Sequence, residues 1–215
     1  MSEQGRRARW GGCWLGAAVL CWQVLGVSAT TAVAAPARPV ACRGVARGSV
    51  AELVCRDAGL RGLGSGLSEV YQQALQRSEG PQVRLLRAEQ QSWLKGLDAC
   101  MRPFEGRMAC VRQAYMRRTV GLQAAYRLVP RLGPVRFTCN GDPADELHLT
   151  FYATEPPSLV AERGTQSVLM LQTVSGSGAR YEGRNELFWE HQGEATLRWG
   201  RDGHDGPDMR CRPSR

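Results

Sequence analysis

The apolar positions of this chain change period part-way along it. Leu67, Val70, Tyr71, Ala74 and Leu75 recur every three or four residues, the spacing of one helix face. Leu86, Gln90, Trp93, Leu94 and Leu97 form a second such stripe, polar at its middle. Val111, Ala114, Tyr115, Arg118 and Leu122 begin a third that runs on towards Tyr126. Ser78-Glu79-Gly80-Pro81 separates the first two stripes, and Pro103 and Gly106 separate the second from the third. Beyond Val129 the period becomes two. Val135 to Cys139 reads as a short strand ended by the turn Asn140-Gly141-Asp142-Pro143. Leu147, Leu149 and Phe151 alternate with His148, Thr150 and Tyr152, as in a half-buried strand. Ser158–Arg163 and Ser167–Thr173 pair plausibly across Gly164, and Leu187–His191 and Glu194–Trp199 across Gln192-Gly193. The pattern predicts an α+β chain in two domains, three amphipathic helices followed by a β-sandwich or small barrel. Pro130, Gly133 and Pro134 stop the last helix, which places a helical domain at 35–129, a linker at 130–134 and a β domain at 135–215.

Charge supports the division. Residues 35–133 carry a net +9 and residues 134–215 a net −3, within a total of +8. The N-terminus reads as a secretory signal: Arg6, Arg7 and Arg9 precede a mostly apolar run from Gly11 to Val27 that is short for a spanning helix. Ala32-Val33-Ala34 offers a cleavage site, giving a signal at 1–34; an uncleaved anchor is the alternative. Cys21 follows Leu20, which makes a poor lipoprotein cleavage site. The expected location is therefore periplasmic or secreted, with envelope association open. Six cysteines remain in the mature chain: Cys42, Cys55, Cys100, Cys110, Cys139 and Cys211. An even count in an exported chain implies disulfides, and proximity along the chain suggests 42–55, 100–110 and 139–211. There is no C-x-x-C and the histidines lack metal spacing, so no metal site or cofactor is expected.

The stretch Thr173–Gly193 carries the candidate chemistry. Ser175-Gly176-Ser177-Gly178-Ala179 is a slim, hydroxyl-bearing loop, followed by Arg180, Tyr181, a turn at Gly183 and the aromatic run Leu187-Phe188-Trp189. The order S-G-S-G-A-R-Y, then F-W, then a glycine before Glu194-Ala195 resembles the MliC family of inhibitors of C-type lysozyme. That resemblance implies a small antiparallel β-barrel whose loop serine, Ser177 here, enters the lysozyme cleft together with a lysine from just after the F-W strand. This chain has His191 at that place and an extra Gln192 before Gly193. The resemblance also ties the first and last cysteines of the domain together. The helical part has a second resemblance. Cys42, Cys55, Leu60, Leu63, Leu67, Tyr71, Gln90, Trp93, Leu94, Cys100, Cys110 and Tyr115 match the N-terminal domain of the LprI type. Gly64 departs from that pattern, and Gly62-Leu63-Gly64-Ser65-Gly66 is expected to loosen the start of its helix.

C-type lysozyme works between two carboxylates, one of them held protonated. A blocking loop needs a thin backbone, a hydroxyl for one carboxyl and a cation for the other. Ser177 between Gly176 and Gly178 supplies the first two, and His191 the third when protonated. Arg180 is the other cation beside the loop, Tyr181 a supporting or rim residue, and Phe188 and Trp189 core on one side and loop support on the other. The expected partner is C-type lysozyme. A hydrolase reads poorly: position 175 is Ser, which breaks the G-x-S-x-G elbow, and no acid pair stands out. The alternative is an envelope-binding module whose basic helices hold an anionic cell-wall polymer or a membrane surface. Nucleic acid suits the charge but not the compartment, and no recognition motif is present.

Overall fold

The first two helices begin at side-chain caps. The computed structural model describes residues 42–102, 105–200 and 206–214. The expected signal at 1–34 lies outside them. Helix α1, Val50–Arg56, was not predicted. Ser49 accepts its Glu52 N–H at 3.2 Å, and Glu52 accepts the Gly48 N–H at 2.6 Å, a reciprocal start that satisfies two otherwise orphaned donors. Helix α2, Ala58–Gln76, is capped by Asp57, whose carboxylate accepts the Leu60 N–H at 2.7 Å. It runs unbroken through Gly62, Gly64 and Gly66, against the loosening the sequence suggests. The cap and a buried stripe of Leu60, Gly64, Leu67, Val70 and Ala74 outweigh the glycines. A methyl added at Gly62 or Gly66 would meet nothing within 4 Å. Gly62→Ala combined with Gly66→Ala is therefore expected to stabilise the fold by about 1 kcal/mol or somewhat more, read as a rise in thermal midpoint of a few degrees. An unchanged midpoint would show that helix propensity is not limiting there.

Helix α3, Pro81–Gly96, opens with proline at its first position and passes into a 3-10 turn at Leu97–Met101. Helix α4 is Arg107–Ala125. Leu86 and Leu97 are buried, and Trp93 lies edge-on to Tyr115 with ring centroids 5.1 Å apart. Leu94, expected in the same stripe, is instead 50% exposed, because the buried line follows 86, 90, 93 and 97. The polar residues that interrupt the second and third stripes meet each other: Arg118 Nε donates to Gln90 Oε1 at 3.0 Å. Disulfides join Cys42 to Cys55 and Cys100 to Cys110 across these short elements.

The second half is a closed, eight-stranded antiparallel barrel in which every strand pairs with its sequence neighbours. Its strands are β1 Arg131–Cys139, β2 Glu146–Tyr152, β3 Ser158–Arg163, β4 Gln166–Thr173, β5 Ala179–Glu182, β6 Leu187–His191, β7 Glu194–Arg198 and β8 Asp208–Pro213. Strand β1 begins four residues before the predicted one, inside the stretch read as a linker. Arg131 and Leu132 pair with Tyr152 and Phe151, and a register shift follows before Val135. Strands β5 and β8 escaped the sequence reading; β5 has only four residues, and β8 alternates arginines with buried Met209 and Cys211. Closure brings β8 against β1 at Phe137, Thr138 and Cys139, where Cys139 faces Cys211 and forms the third disulfide. Phe137, Leu147, Leu149, Leu159, Met170, Phe188 and Leu197 fill the interior.

All described residues fall in one compact unit. Arg117 of α4 reaches the barrel and donates to the Gly183 carbonyl at 2.8 Å. Burial first, and the nearby Arg184 second, push its pKa down, while Glu182 and Glu186 act against them. Among the described residues no helix is long and apolar enough to cross a membrane.

Candidate functional site

The serine–glycine loop joins β4 to β5 and is held from behind by β6. Trp189 lies two residues before the end of β6, on the strand's outer face, while its neighbour Phe188 is fully buried inside the barrel. From there the indole Nε1 donates to the Ser177 carbonyl at 2.9 Å. The same carbonyl accepts from Ser175 Oγ at 2.5 Å, and the Ser177 N–H points back to Ser175 Oγ at 3.4 Å. Two donors thus fix the backbone of Ser177, and its side chain is exposed. Trp189 is the loop support that the sequence suggested.

Gly178 fixes the second point of attachment. It has φ +69°, and a Cβ there would lie 2.0 Å from the Glu190 carbonyl oxygen and 3.2 Å from the His191 Cα. Only glycine lets the loop approach the end of β6 this closely. Gly176, by contrast, has open space around it. His191 is therefore beside the loop, and its imidazole stacks on the Trp189 indole with centroids 6.1 Å apart and planes 24° apart. The turn after it, Gln192-Gly193, has both residues at positive φ, the conformation of a tight two-residue hairpin turn.

The other named residues are placed differently. Arg180 donates through Nε to Glu182 Oε1 at 2.8 Å, and its Nη2 lies 2.7 Å from the same oxygen, so its charge is engaged within β5. Tyr181 faces the barrel interior, 7% exposed, with its ring edge-on to Phe151 at 5.8 Å. Burial, and then the Glu190 carboxylate, push its phenol pKa up, so the hydroxyl stays neutral. The structure thus gathers Ser177, Gly178, Trp189 and His191 at one place and leaves Tyr181 beneath it. Val174 is fully exposed at the base of the loop. Sequence reasoning passed over it, because an apolar residue after a strand reads as that strand's last position. Among the described residues no group of histidine, cysteine and acidic side chains could hold a metal ion.

Comparison with known proteins separates the two halves. The family profile of membrane-bound lysozyme-inhibitor of c-type lysozyme, MliC, matches residues 137–205. A longer match is to lipoprotein LprI of Mycobacterium tuberculosis and of Mycobacterium bovis, 36% identical over 168 residues, 77% of this chain and 79% of theirs. The chain belongs to the LprI family. The LprI match is longer than the whole barrel and so reaches into the helices, where two of the three disulfides lie. Among solved structures, Pseudomonas aeruginosa MliC in complex with hen egg white lysozyme shares 17% identity at a TM-score of 0.31, covering 40% of this chain and 86% of that one. The chain thus joins a region that matches the MliC profile to LprI homology over most of its length.

Proposed function

We propose that this protein is an exported inhibitor of C-type lysozyme that inserts the Ser177 loop into the enzyme's cleft. The observation that carries the reading is the loop's preorganisation: an exposed serine whose backbone is pinned by Trp189 and by the close approach at Gly178. A loop already held in its bound shape loses little conformational freedom on binding. The Ser177 hydroxyl bonds one catalytic carboxyl, and His191, when protonated, pairs with the ionised one. The name of the relatives, a lipoprotein, supports an envelope-side location for this chain too.

The test is titration of C-type lysozyme with the oxidised protein on cell walls. Wild type is expected to inhibit stoichiometrically. Ser177→Ala is expected to weaken inhibition by roughly two- to tenfold, the worth of a hydrogen bond between neutral groups. Ser177→Glu, which sets a carboxylate against a carboxylate, is expected to abolish it. The histidine has its own signature. A protonated imidazole binds a carboxylate better than a neutral one, so complex formation takes up a proton. Affinity then rises as pH falls, until the lysozyme carboxylates themselves protonate, and His191→Ala flattens that profile. Equal inhibition by wild type and Ser177→Glu would sink the loop mechanism.

A further inference from the structure

Histidine is a conditional cation, and the structure places permanent ones on the next strands. His191 pairs in register with Glu194 at the start of β7. Glu194 in turn reaches β8, where Arg212 Nη2 lies 2.6 Å from its Oε1 and Arg212 Nε donates to the same oxygen at 2.9 Å. Arg210 approaches the other oxygen at 3.8 Å. Neighbouring strands lie about 4.8 Å apart, which puts Arg212 roughly 10 Å from His191 along the row, within reach of one partner surface. The two arginine side chains are 76% and 69% exposed. With Thr138, Asn140, Gly141 and Asp208 they line a groove of about 590 Å³.

The charge count of this cluster is unusual for its setting. Residues 134–215 carry a net −3, yet here two arginines share one carboxylate. Exposed ion pairs contribute little to stability, so a second arginine on an already paired glutamate has no evident folding role. The other charges nearby are already engaged: Arg180 with Glu182 on β5, and Asp208 with Arg198 across β7 and β8. Glu190 precedes His191 on β6 and bears on Tyr181 in the interior.

We infer that the Arg210–Glu194–Arg212 cluster is a second contact for the carboxylate-bearing cleft of lysozyme, supplying beside the serine loop a positive charge that persists at any physiological pH. This rests on the inhibitor reading above. It assigns partner contact to β8, the strand furthest in sequence from the loop, and makes Arg210 and Arg212 determinants of affinity.

The experiment measures inhibition of C-type lysozyme by the full mature protein at one pH and two salt concentrations. Arg210→Gln with Arg212→Gln is expected to weaken inhibition roughly tenfold, with most of the difference lost at high salt. Arg84→Gln with Arg87→Gln, an equal charge change on the exposed side of α3, serves as control and is expected to stay within about twofold. Glu194→Gln separates contact from scaffolding: it breaks the ion pairs but frees both cations, and should leave inhibition as strong as wild type or stronger. If Glu194→Gln weakens inhibition as much as removing the arginines, the cluster is structural and the inference fails. It fails equally if the β8 variant matches its control. Absence of inhibition by wild type at any ratio would overturn the inhibitor reading and this inference with it.

Discussion

Replacing Gly178 with alanine is expected to abolish lysozyme inhibition while leaving the barrel folded. Two independent effects act at this residue. At φ +69° a side chain costs about 1 kcal/mol or more in backbone strain. The larger effect is steric, because the added Cβ would stand 2.0 Å from the Glu190 carbonyl oxygen. That oxygen belongs to β6, whose Glu190 pairs in register with Ala179 on one side and Ala195 on the other. The strand cannot retreat without breaking the barrel wall, so the loop must lift. Lifting separates the Ser177 carbonyl from the Trp189 indole and moves the serine away from His191. Inhibition should fall by about a hundredfold or more, since both the position and the preorganisation of the loop are lost. The thermal midpoint should fall by only a few degrees, because the strained segment carries little of the core. Gly176→Ala is the internal control: no neighbour lies within 4 Å of its Cβ, and inhibition should change by no more than a few-fold. Equal tolerance of alanine at 176 and 178 would show that the loop is not held against β6 when it acts.

The contrast between these two glycines also shows where the sequence stops being legible. Both stand in the same S-G-S-G motif, and nothing in their order separates the one that spaces from the one that touches. The distinction depends on which residue of β6 lies behind the loop, a matter of register set by the whole barrel. Periodicity was enough for the long helices and for hairpins with turn residues at fixed places, as at Gly164 and Gln192-Gly193. It failed for β8, where outward Asp208, Arg210 and Arg212 alternate with only two buried residues, too few to stand out from a coil. It also misjudged the glycine-rich start of α2, where propensity is local but burial of Leu60 and Leu67 against other elements decides. At the loop, the supporting Trp189 could be named from the motif. The engagement of Arg180 by Glu182 could not, because a residue two places along a strand faces the same way only once the strand is known.

Removing the barrel disulfide is expected to have the largest effect on stability. Cys139 and Cys211 are both fully buried and face each other where β1 meets β8. That seam is paired at only three positions, against six between β1 and β2. It is also the closure that joins the two ends of the barrel sequence, 72 residues apart. A cross-link over a longer loop restricts the unfolded chain more, though only logarithmically. The chain-entropy argument gives about 4 kcal/mol, compared with about 3 kcal/mol for each of the helical pairs, which are 13 and 10 residues apart. Once that seam opens, β1 and β8 become open edges with unpaired backbone groups. Cys139→Ala with Cys211→Ala avoids burying new hydroxyls, and should lower the thermal midpoint by roughly 10 °C, with aggregation on heating. Because the serine loop is attached to β4, β5 and β6, the variant should still inhibit lysozyme well below its midpoint, and lose activity only as the barrel opens. A midpoint lowered by less than about 3 °C would mean that strand pairing alone holds the seam. Inhibition lost in the cold, with the barrel intact by near-ultraviolet circular dichroism, would instead place β8 in the contact surface by a route through the backbone, not through its arginines.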